Sequence, residues 1–135
     1  MPSAYLGNNS GRETIEAIEK AIAEIKPNII FSHTEHDRHQ DHILVNGATI
    51  SACRFFQGQL YFYEAFSSLK YFEPQMVYRI DEFFPDKIIA ISLFTSQANK
   101  FYMQPKIIES IAVFRAAQFG MFGKAEAFEV GKIIK

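Results

Sequence analysis

Tryptophan is absent from this 135-residue chain, and cysteine occurs once, at Cys53. A single thiol excludes an intrachain disulfide, so the fold must hold by packing alone and a reducing cytoplasm is the expected setting. Long apolar runs are also missing. Nothing approaches the roughly 20 residues that cross a bilayer, and the opening Met1-Pro-Ser-Ala-Tyr-Leu-Gly7 lacks the basic and apolar regions of a secretion signal. Neither charge is in excess: 14 Lys and Arg stand against 15 Asp and Glu, a net charge of −1. That leaves no basic face of the kind a phosphate backbone demands, which argues against nucleic acid as a partner.

What remains is an ordinary globular balance, 48% hydrophobic and 21% charged, which predicts a single domain over residues 1–135. Aromatic residues, 14 Phe and 6 Tyr, are numerous for so small an interior. Part of that surface is expected to pack an interface, so a homo-oligomer is predicted.

The periodicities predict an α/β chain. After a turn-rich lead through Gly7-Asn-Asn9, Ser10 and Glu13 have the spacing of a capping box, in which side chains satisfy the first orphan amides of a helix. Ile15, Ile18, Ile22 and Ile25 then form one apolar stripe, closed by Pro27. The unalternating run Ile29-Ile-Phe-Ser32 suits a strand buried on both faces of a mostly parallel sheet, and it is expected to be central. Asp41 is the expected N-cap of a helix to about Phe56, with Val45, Ala48, Thr49, Ala52 and Phe55 inward. Strands follow at 60–64 and 76–80, helices at 85–97 and from Pro105 to Gly120, and 125–134 could add an edge strand.

All four histidines fall within ten residues, His33-Thr-Glu-His36-Asp-Arg-His39-Gln-Asp-His42, between the apolar strand and the next helix. Open α/β sheets place their sites at this point, outside the carboxyl end of a strand. His39 and His42, three apart at a helix start, can divide labour, one ligating a metal while the other moves a proton. The positive end of the helix dipole disfavours imidazolium at His42, and the Asp41 carboxylate can hold a ring N–H and fix a tautomer. Arg38 is a candidate anion or sugar contact, with a surface ion pair to Asp37 or Glu35 as the alternative. His33 and His36 are expected at the rim.

With those residues in view, Lys26 to His42 followed by Val45 and a small-residue helix resembles the second signature of the PIG-L/LmbE-like zinc-dependent N-acetylglucosaminyl deacetylases. Lys87 with Thr95-Ser-Gln97 is similar to that family's lysine-helix-Ser-Gln segment, and Arg115, Gly120, Gly123 and Ala125-Glu-Ala-Phe128 to its closing pattern. Three departures stand out: Gln40 replaces a customary proline, Phe94 a frequent histidine and Lys124 a frequent aromatic. The family's first motif, of the type Ala-His-Pro-Asp-Asp, has no counterpart here.

The resemblance implies a Rossmann-like three-layer α/β/α fold of which this chain holds the second half. It implies zinc as cofactor, His42 as a metal ligand, and His39 as acid or electrophile beside the scissile amide, oriented by Asp41. The missing motif would supply two further ligands and the general base, so a complementary N-terminal half is an expected partner. Zinc occupancy in the lone chain should then be weak or absent. Glu35, His36 or Asp37 could stand in for the missing groups. Two other readings stay open: a non-catalytic relative used for binding or self-assembly, and a metal buffer using all four histidines.

Overall fold

The computed structural model describes residues 11–135, so the turn-rich lead and the capping hydroxyl of Ser10 lie outside the described residues. The chain divides into two compact units, Met1–Gln75 with Phe128–Lys135, and Met76–Ala127.

The first unit opens with α1 (Gly11–Ile25). Ile15, Ile18 and Ile22 are half-buried as the stripe predicts, whereas Ile25 is 73% exposed. The helix unwinds there because Lys26 takes a left-handed conformation at φ 51° ahead of Pro27. Strand β1 (Ile29–His33) follows, then α2 (Gln40–Ala52) and a 3-10 turn at Cys53–Phe55. That turn corrects the expected inner face. A 3-10 turn advances about 120° per residue instead of 100°, so Phe55 swings out to 80% exposure and Phe56 enters the core. Cys53, Phe56 and Leu60 form that core with Ile22, Ile30 and Phe62 packed on it. Lys132 closes the helix end, its Nζ donating to the carbonyls of Cys53, Arg54 and Phe56 at 3.2, 3.3 and 2.8 Å.

Strand β2 (Gln59–Tyr63) runs parallel to β1 with His33 opposite Tyr63. The later residues of β4 (Ala125–Ile133) run antiparallel on its other side, from Gln59 opposite Ile133 to Tyr63 opposite Phe128. Two sequence expectations about strand position are corrected here. Among the described residues β1, expected centrally, pairs with β2 alone, and β4, expected at an edge, has β2 beside it in this unit and β3 in the other. Burial on both faces of β1 is corrected as well: Ile29 and Phe31 stay half-exposed, although Phe31 lies against Tyr61 and Phe128, with ring centroids 5.7 and 5.3 Å away.

The second unit contains β3 (Met76–Arg79), α3 (Phe84–Ser92), two 3-10 turns at Thr95–Gln97 and Phe101–Met103, and α4 (Pro105–Gln118). Its core joins Ile80, Phe84 and Ala112 with Ile88 and Ile108. The single helix expected over 85–97 stops at Ser92, whose hydroxyl donates to the Ile89 carbonyl at 2.6 Å and competes with the next helical turn. Lys87 Nζ meets Glu126 Oε1 at 2.5 Å, tying α3 to the first residues of β4. Among the described residues no helix is long and apolar enough to cross a membrane.

Gly58 marks the tightest approach in the first unit: a Cβ there would lie 2.5 Å from the Asn28 carbonyl oxygen and press into the Phe56 ring. Backbone cannot yield as a side-chain tip can. Gly58→Ala is therefore expected to lower stability by about 1–3 kcal/mol, read as a shifted urea midpoint with an unchanged slope.

Candidate active site

β1 ends in His33 and α2 begins at Gln40, so the histidine segment is the connection between a strand's carboxyl end and a helix N-terminus. The loop is built around Asp37. Its side chain is fully buried although it carries a carboxylate, and such a group requires several donors. Asp37 Oδ1 accepts the His39 backbone N–H at 2.8 Å. Oδ2 stands 3.0 Å from His42 Nδ1 and 3.4 Å from the donating Ser68 hydroxyl. Burial alone would raise this carboxyl; hydrogen bonds from Ser67, the His39 backbone and His42, with the charge of His42, outweigh burial and hold it below the usual range. Asp37 is therefore an anion, and His42 Nδ1 is the proton donor facing it.

That contact settles which nitrogen of His42 remains. In the neutral ring, with Nδ1 carrying the proton, the Nε2 lone pair is free to ligate, the arrangement in which a carboxylate orients a metal-binding histidine. The ring is further fixed by stacking between its neighbours. His33 lies parallel to it, centroids 3.8 Å apart at 6°, and His39 lies on it at 4.6 Å and 21°.

His39, not Asp41, is the N-cap of α2. Its Nδ1 accepts the Asp41 backbone N–H at 3.2 Å, which corrects the expected cap. An imidazole can replace the usual short polar cap because Asp37 already holds the His39 backbone in an extended conformation (ψ 115°). In the neutral ring this leaves the proton on Nε2. Asp41 thus orients His39 through its backbone N–H, and the carboxylate that meets an imidazole is that of Asp37, not of Asp41. Arg38 is exposed, and its backbone N–H donates to the Ser67 carbonyl at 3.1 Å.

His33 is an internal support. Its carbonyl accepts Asn46 Nδ2 at 2.7 Å, its Nε2 is 3.3 Å from the Tyr63 hydroxyl, and its buried Nδ1 has no partner among the described residues. Burial first, then the neighbouring His42, pushes the ring down to about 4. His36 points instead toward Glu129, 3.9 Å from Oε1.

Ser67, Ser68, Tyr63, Thr34 and Glu129 carry no site signal in the sequence. Ser67 and Ser68 are legible there only as a turn between strands, yet that turn reaches back to the loop, where Ser68 bridges Asp37 and Leu69 N–H donates to the His36 carbonyl at 2.7 Å. No local pattern announces such a contact. Among the described residues no group of three or more His, Cys, Asp or Glu converges as a metal site.

A family model described as "PIG-L: GlcNAc-PI de-N-acetylase" matches residues 2–53, the part that carries the histidine loop. No curated protein matches. Among solved structures, the conserved protein TT1542 from Thermus thermophilus superposes with a TM-score of 0.77 at 18% identity, over 91% of this chain and 60% of that one. The N,N'-diacetylchitobiose deacetylase from Pyrococcus horikoshii gives 0.70 at 18% identity, over 88% and 51%. GalB, the 4-carboxy-2-hydroxymuconate hydratase of Pseudomonas putida KT2440, gives 0.68 at 15%, over 93% and 61%. At these identities the likeness is one of fold, and the chain spans about half to three fifths of each neighbour's length. A hydratase and a deacetylase on one scaffold show that chemistry is decided by the site.

A ring held near 4 against an ordinary value of 6.5 takes up its proton more readily in the unfolded chain. His33 therefore contributes stability that is fully present above about pH 6.5 and is lost as pH falls toward 4. Denaturation across pH 4–7 should show this slope, reduced in His33→Gln, and NMR titration should find the His33 ring neutral at pH 5.5. A His33 midpoint above 6 would contradict the burial argument.

Proposed function

We propose, from the match of segment 2–53 to the PIG-L family model, that this chain is the histidine-loop portion of a PIG-L/LmbE-like zinc-dependent N-deacetylase that hydrolyses the acetamide of an N-acetylglucosamine-containing substrate. The observation that carries this reading is the buried Asp37 carboxylate on His42 Nδ1, which prepares Nε2 as a ligand. The residues present fit one ligand of a zinc site and not a whole set, since no three candidate ligands converge among the described residues. Zinc, when bound, would supply Lewis-acid polarisation of water and of the amide carbonyl.

The chain's own residues then have distinct tasks. Asp37 keeps His42 in the ligating tautomer. His39, its Nδ1 occupied by the Asp41 backbone N–H, offers Nε2–H as a donor to the oxyanion or to the departing amine. Arg38, exposed on the same loop, contacts an anionic or hydroxyl-rich part of the substrate. The remaining ligands and the general base come from a complementary half, so the chain by itself is inactive in this reading.

A second reading, a non-catalytic relative serving binding or self-assembly, is favoured by the incomplete ligand set and by β1. That strand has one neighbour among the described residues, with Ile29 and Phe31 43% and 51% exposed. Unpaired apolar edges recruit other chains, and self-association through β1 belongs to both readings. The metal-buffer reading gains no support, because stacked rings direct their lone pairs into parallel planes that do not meet at the roughly 2.0–2.1 Å of a Zn–N bond.

Metal titration and an amine-release assay test the proposal. The chain alone is expected to bind zinc below one equivalent and to release no amine from N-acetylglucosamine derivatives. His42→Ala should abolish the residual binding, and Asp37→Asn should weaken it roughly 10- to 100-fold. Full occupancy indifferent to His42→Ala would refute the ligand assignment. Sedimentation should show dimers or larger species at micromolar concentration, dispersed by Phe31→Lys; a stable monomer would remove the edge-pairing proposal.

A further inference from the structure

Thr34, the first residue beyond β1, is 0% exposed, and its hydroxyl lies between the sheet and the histidine loop. Oγ1 donates to Glu129 Oε2 at 2.6 Å and accepts the His36 backbone N–H at 3.2 Å. Glu129 stands on β4 with its side chain 12% exposed. Its second oxygen accepts the Glu73 backbone N–H at 3.0 Å and lies 3.9 Å from His36 Nε2. One carboxylate thus joins three stretches of chain that are far apart in sequence.

The direction of these bonds matters. A hydroxyl has one proton and two lone pairs. The carboxylate takes the proton, which turns a lone pair of Thr34 toward His36 N–H and sets the first turn of the loop. From there the chain is pinned on the opposite side: the His36 carbonyl accepts Leu69 N–H at 2.7 Å, and Arg38 N–H donates to Ser67 at 3.1 Å. Asp37 sits between those two anchors, and its reach to His42 Nδ1 follows from them.

We propose that Glu129 is a positioning residue which, through Thr34, holds the histidine loop in the register that places the Asp37 carboxylate on His42 Nδ1. Glu129 touches neither His42 nor Asp37 in this arrangement; it acts through the Thr34 hydroxyl and the His36 amide. The proposal rests on the reading of His42 as a ligand only for its consequence on zinc, since its first effect is on the His42 tautomer.

The test uses the full chain with ¹⁵N-labelled histidine, reading the ring-nitrogen shifts of His42 and, separately, zinc affinity by titration with the metal alone. Thr34→Val removes the hydroxyl at nearly constant shape, Glu129→Gln replaces one acceptor by a donor, and Thr34→Ser restores the hydroxyl. Wild type and Thr34→Ser are expected to hold His42 as the Nδ1–H tautomer. Thr34→Val and Glu129→Gln should give a mixture of tautomers and about 10-fold weaker zinc binding, with far-UV circular dichroism unchanged. An unaltered His42 tautomer in Thr34→Val and Glu129→Gln would overturn the proposal. If Thr34→Val does not fold, Glu129→Gln against Thr34→Ser carries the comparison. Should wild type bind no zinc while the tautomer still shifts in the variants, the ligand reading fails and the positioning role stands.

Discussion

A carboxylate buried at the mouth of a sheet must be answered by donors from every side, and in this protein that requirement organises the loop. Asp37 draws in the His39 amide, the His42 ring and the Ser68 hydroxyl. Its anionic form survives burial because hydrogen bonds from Ser67, the His39 backbone and His42, with the charge of His42, outweigh the desolvation penalty. The same contacts orient the helix start, since the extended backbone at His39 is what lets its ring cap α2. Removing Asp37 would leave an imidazole without a fixed tautomer, a helix without its held cap and a turn without its bridge.

Around that anion the aromatic rings divide into two sets with different duties. The three stacked imidazoles at the loop carry the polar chemistry, and His33, kept neutral by burial, serves as the floor on which His42 lies. Phe31, Tyr61 and Phe128 form the apolar set that braces β1, β2 and β4 behind them. Alternation along β1 separates the two: Phe31 and His33 share one face, and Ser32, between them, turns to the other face and meets Thr49 of α2 at 3.0 Å. A site at the carboxyl end of a strand is thereby fixed to the helix that follows it.

The same fold in a deacetylase and in a hydratase places limits on what architecture explains. The histidine loop is where this chain differs from a generic α/β scaffold, and its supports are disposed so that two imidazoles keep complementary protonation: His42 donating through Nδ1, His39 accepting at Nδ1. The two rings are thus held differently, a division achieved by neighbours and not by the rings themselves.

Local chemistry made much of this legible in the sequence. The stripe of Ile15, Ile18 and Ile22, the apolar run at Ile29–Phe31 and the clustering of four histidines between a strand and a helix are short-range patterns, and periodicity reports them directly. Residue identity alone also made His39 and His42 candidates. It did not reveal that Asp37 is the anion in contact with His42, that Asp41 acts through its backbone, or that Ser68, Tyr63 and Glu129 belong to the same assembly. Those contacts join positions 5, 31, 30 and 95 residues apart. The nearest of them depends on how a loop turns, and the others on which strands become neighbours. Strand β1 makes the same point: its apolar run predicted burial on both faces, yet Ile29 and Phe31 are half-exposed, and its place in the order was decided by pairing. Sequence determined which side chains were available and on which elements they stood; the tertiary structure decided which carboxylate faced which ring, because hydrogen-bond partners are chosen by distance in space and not by distance along the chain.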